Sequence, residues 1–206
     1  MNRMLQGDVG SGKTVVAAYA MLVAIAHQHQ AVIMAPTEIL ARQHFRTMQH
    51  MLAKSRVNIG FLSGSLKAAQ RRSILEEIKD GTINLIIGTQ AIVQKNVEFH
   101  RLGLAVVDEG HRFGVRQRAR LKQGDVEPHY LVMTATPIPR TVAMTVFGDL
   151  EVSILRQLPA GRQPIHTYVG SEQKRAQWWD FIRRKLDEGR QAYIVAPLVD
   201  EQEGAD

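Results

Sequence analysis

Residues 7 to 14 read Gly-Asp-Val-Gly-Ser-Gly-Lys-Thr. Glycines let backbone N–H groups come close to a phosphate chain, and a helix starting after them turns its positive end toward the same point. Lys13 then reaches the β- and γ-phosphates, and the Thr14 hydroxyl suits Mg²⁺. The run Gly7, Asp8, Val9, Gly10, Ser11, Gly12, Lys13 and Thr14 is therefore a candidate cradle for ATP with Mg²⁺. A second set of reactive groups closes an apolar run, where Leu104-Ala105-Val106-Val107 leads into Asp108-Glu109-Gly110-His111. Adjacent carboxylates at a strand end are by themselves an ordinary solvated turn. Beside a phosphate loop they are what phosphoryl transfer needs: Asp108 on the metal side, Glu109 as general base for the attacking water. Thr134-Ala135-Thr136 ends the next apolar run and sets two hydroxyls beside the carboxylates.

These groups need a scaffold that presents them together. Met1 to Gln6 is the only run available as a strand leading into the loop, and 15–26 is an almost uniformly apolar helix that is expected to be buried. Short β-rich runs at 31–35, 57–62, 84–88, 103–107 and 130–134 alternate with helical patterns. The clearest helix spans 37–54, with Ala41, Phe45, Met48 and Leu52 on one stripe; another spans 71–79 and stops at Asp80-Gly81. This alternation implies right-handed crossovers and an α/β fold, a mostly parallel sheet flanked by helices with ligands at the carboxyl ends of its strands. Every motif above falls at such an end.

With 206 residues, 45% of them hydrophobic, the chain holds one α/β domain and part of another. Pro159, Gly161 and Pro164 break both periodicities, so the reading is a first domain at 1–155, a linker at 156–165 and a second unit at 166–206. That unit offers a strand at 166–169, a helix at 172–186 with Trp178, Phe181, Ile182 and Leu186 inward, and a strand at 192–196, too few elements to bury a core. Cysteine is absent, which excludes disulfides, thiolate zinc sites and thiol nucleophiles and fits a reducing compartment. No run approaches the roughly 20 apolar residues of a membrane span, and the first residues lack a signal-peptide pattern, so the expected location is cytoplasmic. The net charge of +6 suits a polyanionic partner, and the densest basic stretch, 112–122, alone would be a solvated helix face. Nothing in the chain fixes an oligomeric state.

These strings carry a family resemblance. Gly-Ser-Gly-Lys-Thr at 10–14, Asp-Glu-x-His at 108–111 and Thr-Ala-Thr at 134–136 resemble motifs I, II and III of superfamily 2 helicases and translocases. Longer strings at 6–14, 35–41 (Ala-Pro-Thr-Glu-Ile-Leu-Ala), 111–115 (His-Arg-Phe-Gly-Val) and 136–141 (Thr-Pro-Ile-Pro-Arg-Thr) resemble the RecG-type branch-migration helicases. The likeness runs from Leu5 to about Glu201. Mfd-type transcription-repair translocases share the Arg-Phe-Gly-Val and Pro-Ile-Pro-Arg-Thr strings, whereas Gly-Ser-Gly-Lys and Pro-Thr-Glu-Ile-Leu favour the RecG type.

The resemblance implies a RecA-like ATP-binding lobe, followed by the start of a second lobe, in a protein that couples ATP hydrolysis to translocation on duplex DNA and remodels forks or junctions in repair and recombination. By it, Lys13 and Thr14 bind triphosphate and Mg²⁺, Asp108 and Glu109 bind metal and activate water, and His111 with Thr134, Ala135 and Thr136 couples the nucleotide to DNA. Pro36, Thr37 and Glu38, Ser63, Gly64 and Ser65, and Gly88, Thr89 and Gln90 match places where such a lobe touches the DNA backbone; hydroxyls, glycines and helix N-termini suit phosphates without reading bases. One position departs from the pattern: Gly110 stands where RecG-like chains place Gln and Mfd-like chains Glu. The change removes a side chain that could bond across the site and loosens the backbone beside Glu109. The resemblance also implies that the arginine fingers and half of the DNA track lie beyond Asp206 and a wedge domain before Met1, so the chain is expected to be a catalytically incomplete fragment. Its alternatives are an Mfd-like lobe and a non-catalytic module that holds nucleotide and DNA backbone.

Overall fold

Runs of β-branched and apolar residues too short for helices become strands, and their order in space decides which loops meet. In the computed structural model, which describes residues 1–109, 120–121, 127–136, 150–157 and 165–196, the strands are β1 (Asn2–Gly7), β2 (Gln30–Met34), β3 (Ile59–Leu62), β4 (Leu85–Gly88), β5 (Leu102–Asp108), β6 (His129–Thr134) and β7 (Glu151–Leu155). They form one seven-stranded sheet in the order β3-β4-β2-β5-β6-β1-β7, and every pairing is parallel. The leading strand and the five alternating runs thus become β1 to β6, while β7 goes unmarked by the sequence pattern.

Period-two alternation sends successive side chains of the central strands to opposite faces. Ala31, Ile33, Leu85, Ile87, Leu104, Val106, Leu131 and Met133 pack on one face against α1 (Lys13–Ala26) and α2 (Glu38–Met51). Val32, Met34, Ile86, Ala105 and Val107 pack on the other with Ile78 of α3 (Ala68–Lys79). Both faces are covered, as a parallel sheet requires.

Two helices differ from the sequence expectation. The expectation that α1 is buried is overturned: it buries Ala17, Ala18 and Met21, whereas Val15, Val16, Tyr19 and Val23 are exposed, Tyr19 at 71%. A single sheet covers one side of a helix, and among the described residues no further layer lies over the other. On α2 the residues turned inward are Ala41, His44 and Met48, so a histidine sits in the buried stripe and Phe45 stands at its edge, half-buried.

The chain divides into two compact units, Met1–Arg162 and Gln163–Asp206. In the second, the expected helix forms as α4 (Arg175–Asp187), preceded by a 3₁₀ turn at Glu172–Lys174. The expected strands at 166–169 and 192–196 do not form, because these segments have no strand to pair with among the described residues, and Tyr193, Ile194 and Val195 are exposed. The inward face of α4 is correspondingly thin: Trp178 and Ile182 are half-buried, while Phe181 and Leu186 are exposed.

Gly88, at the end of β4, shows how tightly the sheet edge is built. A Cβ there would overlap the Leu62 carbonyl oxygen, which also accepts the Thr89 N–H at 3.2 Å. Because the obstacle is backbone, it cannot rotate away. Gly88→Ala is expected to lower stability by about 1–3 kcal/mol, the usual cost of overpacking, read as a lower urea midpoint at unchanged slope.

Candidate nucleotide site

β1 ends at Gly7, and the chain turns into α1 through a loop that L side chains would strain. Gly10 and Gly12 lie at φ 78° and 94°, and Ser11 N–H closes the turn on Asp8 O at 3.1 Å. Gly12 caps α1 in that left-handed conformation and its carbonyl accepts from Val15 and Val16 N–H. Lys13 folds back over the loop: Nζ donates to Gly7 O at 2.7 Å and to Asp8 O at 2.8 Å. The Asp8 carboxylate accepts from Val9 N–H at 2.6 Å, and Val9 is exposed at the loop tip. Ser11 Oγ is buried without a hydrogen-bond partner among the described residues. Such a hydroxyl ordinarily costs about 1–3 kcal/mol, so it marks a place where a polar ligand is wanted. It faces Gly7, where a Cβ would stand 2.6 Å from it. Thr14 follows at the first turn of α1, half-buried.

The carboxylates come from β5, two places from β1 in the sheet, with β6 between them. Neighbouring strands are about 4.8 Å apart, so the phosphate loop and Asp108 are separated by about 10 Å. Asp108 continues the alternation of Leu104 and Val106 and therefore projects toward the α1 and α2 face. There His44 Nε2 meets Asp108 Oδ2 at 2.7 Å. Glu109 leaves the strand with φ 50°, its N–H still donating to Met133 O at 3.0 Å. Its Oε1 accepts from Ala135 N–H at 3.1 Å. Thr134 is buried, its Oγ1 accepting from Thr136 N–H at 3.2 Å and lying 3.0 Å from Thr136 Oγ1. The structure thus joins Glu109 to Ala135, in the turn that Thr134 and Thr136 close on each other. Gly110, His111 and most of the basic stretch lie outside the described residues.

The remaining predicted residues occupy the other half of the same edge, after β2, β4 and β3. Thr37 caps α2, its Oγ1 accepting from Leu40 N–H at 3.3 Å. Glu38 Oε1 accepts from Ser65 Oγ at 2.7 Å and from Arg42 Nε at 3.0 Å. Arg42 in turn lies over the Phe61 ring, 4.8 Å from its centroid. Ser63 is wholly buried and its hydroxyl meets that of Ser65 at 2.9 Å. Pro36, Thr37, Gly64, Ser65 and Gln90 are exposed, whereas Gly88 is buried and the Thr89 N–H is engaged by Leu62. His44 escaped the sequence reading. The signal was present: positions 41, 44 and 48 share one helical stripe, and a polar side chain there must find a partner.

A phosphate loop and a carboxylate pair at one edge of a parallel sheet with helices on both faces define a RecA-like nucleotide-binding lobe. Residues 1–145 match the model of the DEAD/DEAH box helicases, and the chain belongs to that family, in which its likeness is to the RecG type. It is 50% identical over 206 residues to the ATP-dependent DNA helicase RecG of Synechocystis sp., covering all of this chain and 25% of that one. The corresponding figures for the RecG of Streptococcus pneumoniae are 50% identity, all of this chain and 30% of the relative. A solved structure of RecG bound to a three-way DNA junction superposes with a TM-score of 0.78 at 37% identity, over 97% of this chain and 27% of that one. The chain therefore spans between a quarter and a third of the length of these relatives. Among the described residues no helix is long and apolar enough to cross a membrane.

The Glu38 cluster has a measurable signature. The Ser65 hydroxyl, then the Arg42 guanidinium, hold the Glu38 carboxyl below the usual glutamate range. Ser65→Ala is expected to move the Glu38 midpoint upward, toward the ordinary glutamate range, in a carbon-detected NMR titration. Because the folded-state value is depressed, the stabilisation from this cluster is present above the unfolded value and fades as pH falls through the folded one.

Proposed function

We propose that this chain supplies the ATP-binding lobe of a RecG-type helicase, with 1–155 as the lobe, 156–165 as a linker and 166–206 as the opening of a second lobe. In that reading its parent couples ATP hydrolysis to translocation on branched or duplex DNA in the cytoplasm. One observation carries it: the Lys13-capped loop and the Asp108–Glu109 pair stand on one sheet edge with β6 between them, and Ala135, the residue after β6, is bonded to Glu109.

The residues fit Mg·ATP. Left-handed glycines, an unpartnered buried Ser11 hydroxyl and a lysine on loop carbonyls are the parts of a phosphate cradle. Thr14 and Asp108 are hard oxygen donors, and among the described residues no cluster of three or more His, Asp or Glu could hold a metal unaided. That donor set suits Mg²⁺, which is commonly bound by one or two carboxylates together with substrate phosphates. Mg²⁺ held by Thr14 and Asp108 would supply positive charge against that developing on the phosphates. Lys13 moves from the loop carbonyls to the phosphates, exchanging neutral acceptors for charged ones. Glu109 orients the attacking water and takes its proton. Ala135, bonded to Glu109, ties that carboxylate to the turn at Thr134–Thr136, by which nucleotide state reaches the DNA-facing half of the edge. Pro36–Glu38, Ser63–Ser65 and Gly88–Gln90 are proposed to follow the DNA backbone there, with Ser63 and Gly88 holding the turns in shape.

Alone, the chain is proposed to bind Mg·ATP and turn it over slowly, because an arginine finger contributes about 10³–10⁵ in rate in related phosphoryl transfer. Lys13→Ala removes charge-assisted bonds of about 1.5–3 kcal/mol each, so calorimetry is expected to show Mg·ATP affinity falling roughly a hundredfold or more. Unchanged affinity would remove the loop from the site. Steady-state phosphate release is expected to be slow with or without branched DNA. Brisk, DNA-stimulated, Lys13-dependent turnover by this polypeptide would contradict catalytic incompleteness.

A further inference from the structure

His44 stands where the packing of α2 calls for an apolar residue. Ala41 and Met48, its neighbours on the stripe, are fully buried, and His44 is 9% exposed. A buried imidazole must be satisfied, and its partner is Asp108, with Nε2 2.7 Å from Oδ2 and the two side chains 11% and 15% exposed. An ionised carboxylate only accepts hydrogen bonds, so Nε2 carries the proton and donates. Position 44 is no accident of a mobile side chain. Its helix is fixed at the N-terminus by the Thr37 cap and the Glu38–Ser65 bond and is packed on the sheet through Met48.

We propose that His44 is a positioning residue for the metal-side carboxylate: by holding Oδ2 it sets the rotation of Asp108 in which the carboxylate receives Mg²⁺. The inference rests on the reading of Asp108 as the Mg²⁺ ligand. A free aspartate samples a broad χ2 distribution. Burial leaves little water to order it, and the hydrogen bond fixes it before the metal arrives, so less ordering remains at binding. Outer partners of this kind orient metal ligands, and losing one costs about 10–100-fold in metal affinity or activity. A merely structural role makes a different claim. A buried polar pair that only held α2 to β5 would lower stability when broken and leave the Mg²⁺ requirement untouched.

The test uses the whole chain and Mg²⁺ itself as the probe. Binding of a fluorescent ATP analogue is titrated against Mg²⁺, with thermal unfolding measured on the same samples. His44→Leu keeps the stripe apolar and removes the donor; it is expected to raise the half-saturating Mg²⁺ concentration roughly 10–100-fold. His44→Gln places an amide N–H near the Nε2 position and is expected to restore most of the wild-type value. In an Asp108→Asn background, His44→Leu is expected to add no further shift. A His44→Leu chain that melts earlier yet keeps the wild-type Mg²⁺ midpoint overturns the proposal, as does an equal shift in the Asp108→Asn background. Should the leucine variant not fold, the unmutated chain still decides: the Nε2 nitrogen resonance of His44 is expected to move on adding Mg²⁺ with nucleotide, and its indifference overturns the proposal. Lys13→Ala runs in parallel. If wild type and Lys13→Ala bind alike, the nucleotide-site reading itself fails and takes this inference with it, a result distinct from a Lys13-dependent site insensitive to His44.

Discussion

Parallel pairing throughout the sheet is the constraint from which the site follows. When all strands run the same way, every strand-to-helix turn leaves from one edge, so residues remote in sequence are gathered there without any contact between the helices. The order of strands then sets distances. β6 lies between β1 and β5, which separates phosphate loop from carboxylates by about two strand spacings, or 10 Å, and leaves the end of β6 between them. The turn at Thr134–Thr136 meets the carboxylate side through the Ala135–Glu109 bond for that reason. The small-hydroxyl turns after β3, β4 and β2 are adjacent in the same order and fill the other half of the edge.

The two halves share a helix. α2 begins at the turn after β2 and carries Glu38, bonded to Ser65, and His44, bonded to Asp108. At 1.5 Å of rise per residue these positions are about 9 Å apart along the axis, within one rigid element. Arg42 lies between them, bonded to Glu38 and stacked on Phe61. The helix is thus pinned through Glu38 and Arg42 on its outer side, while its buried stripe, His44 included, holds it to the sheet.

Much of this was legible in the sequence because it depends on short-range chemistry. Gly10 and Gly12 announce a loop with positive φ, and the structure puts both there. Buried strands show as apolar runs whatever their neighbours. What failed to show depends on pairing over long distances. Glu151-Val152-Ser153-Ile154-Leu155 becomes β7 only because β1, at the far end of the chain, offers it an edge, with Arg3 paired to Glu151 across the ladder. The stretches 166–169 and 192–196 have comparable composition and no such partner among the described residues, and they form no strand. The outer face of α1 is the converse case. Its apolar residues promise burial, yet burial is set by how many layers stand around a helix, and composition does not count layers.

The backbone at Glu109 takes two adjacent carboxylates out of strict strand alternation. In a continuing strand, Asp108 and Glu109 would point to opposite faces, and only Asp108 would lie on the face of α1 and α2. At φ 50° Glu109 departs from that alternation and swings toward the end of β6. A left-handed conformation in a non-glycine residue costs about 1–2 kcal/mol. Two bonds offset it, the N–H to Met133 O in β6 and Oε1 to the N–H of Ala135, the residue just after that strand. The strain is therefore held by the same strand that separates carboxylates from phosphate loop. A rearrangement at the end of β6 would change the direction of Glu109 while leaving Asp108, inside the β5 ladder and bonded to His44, where it is.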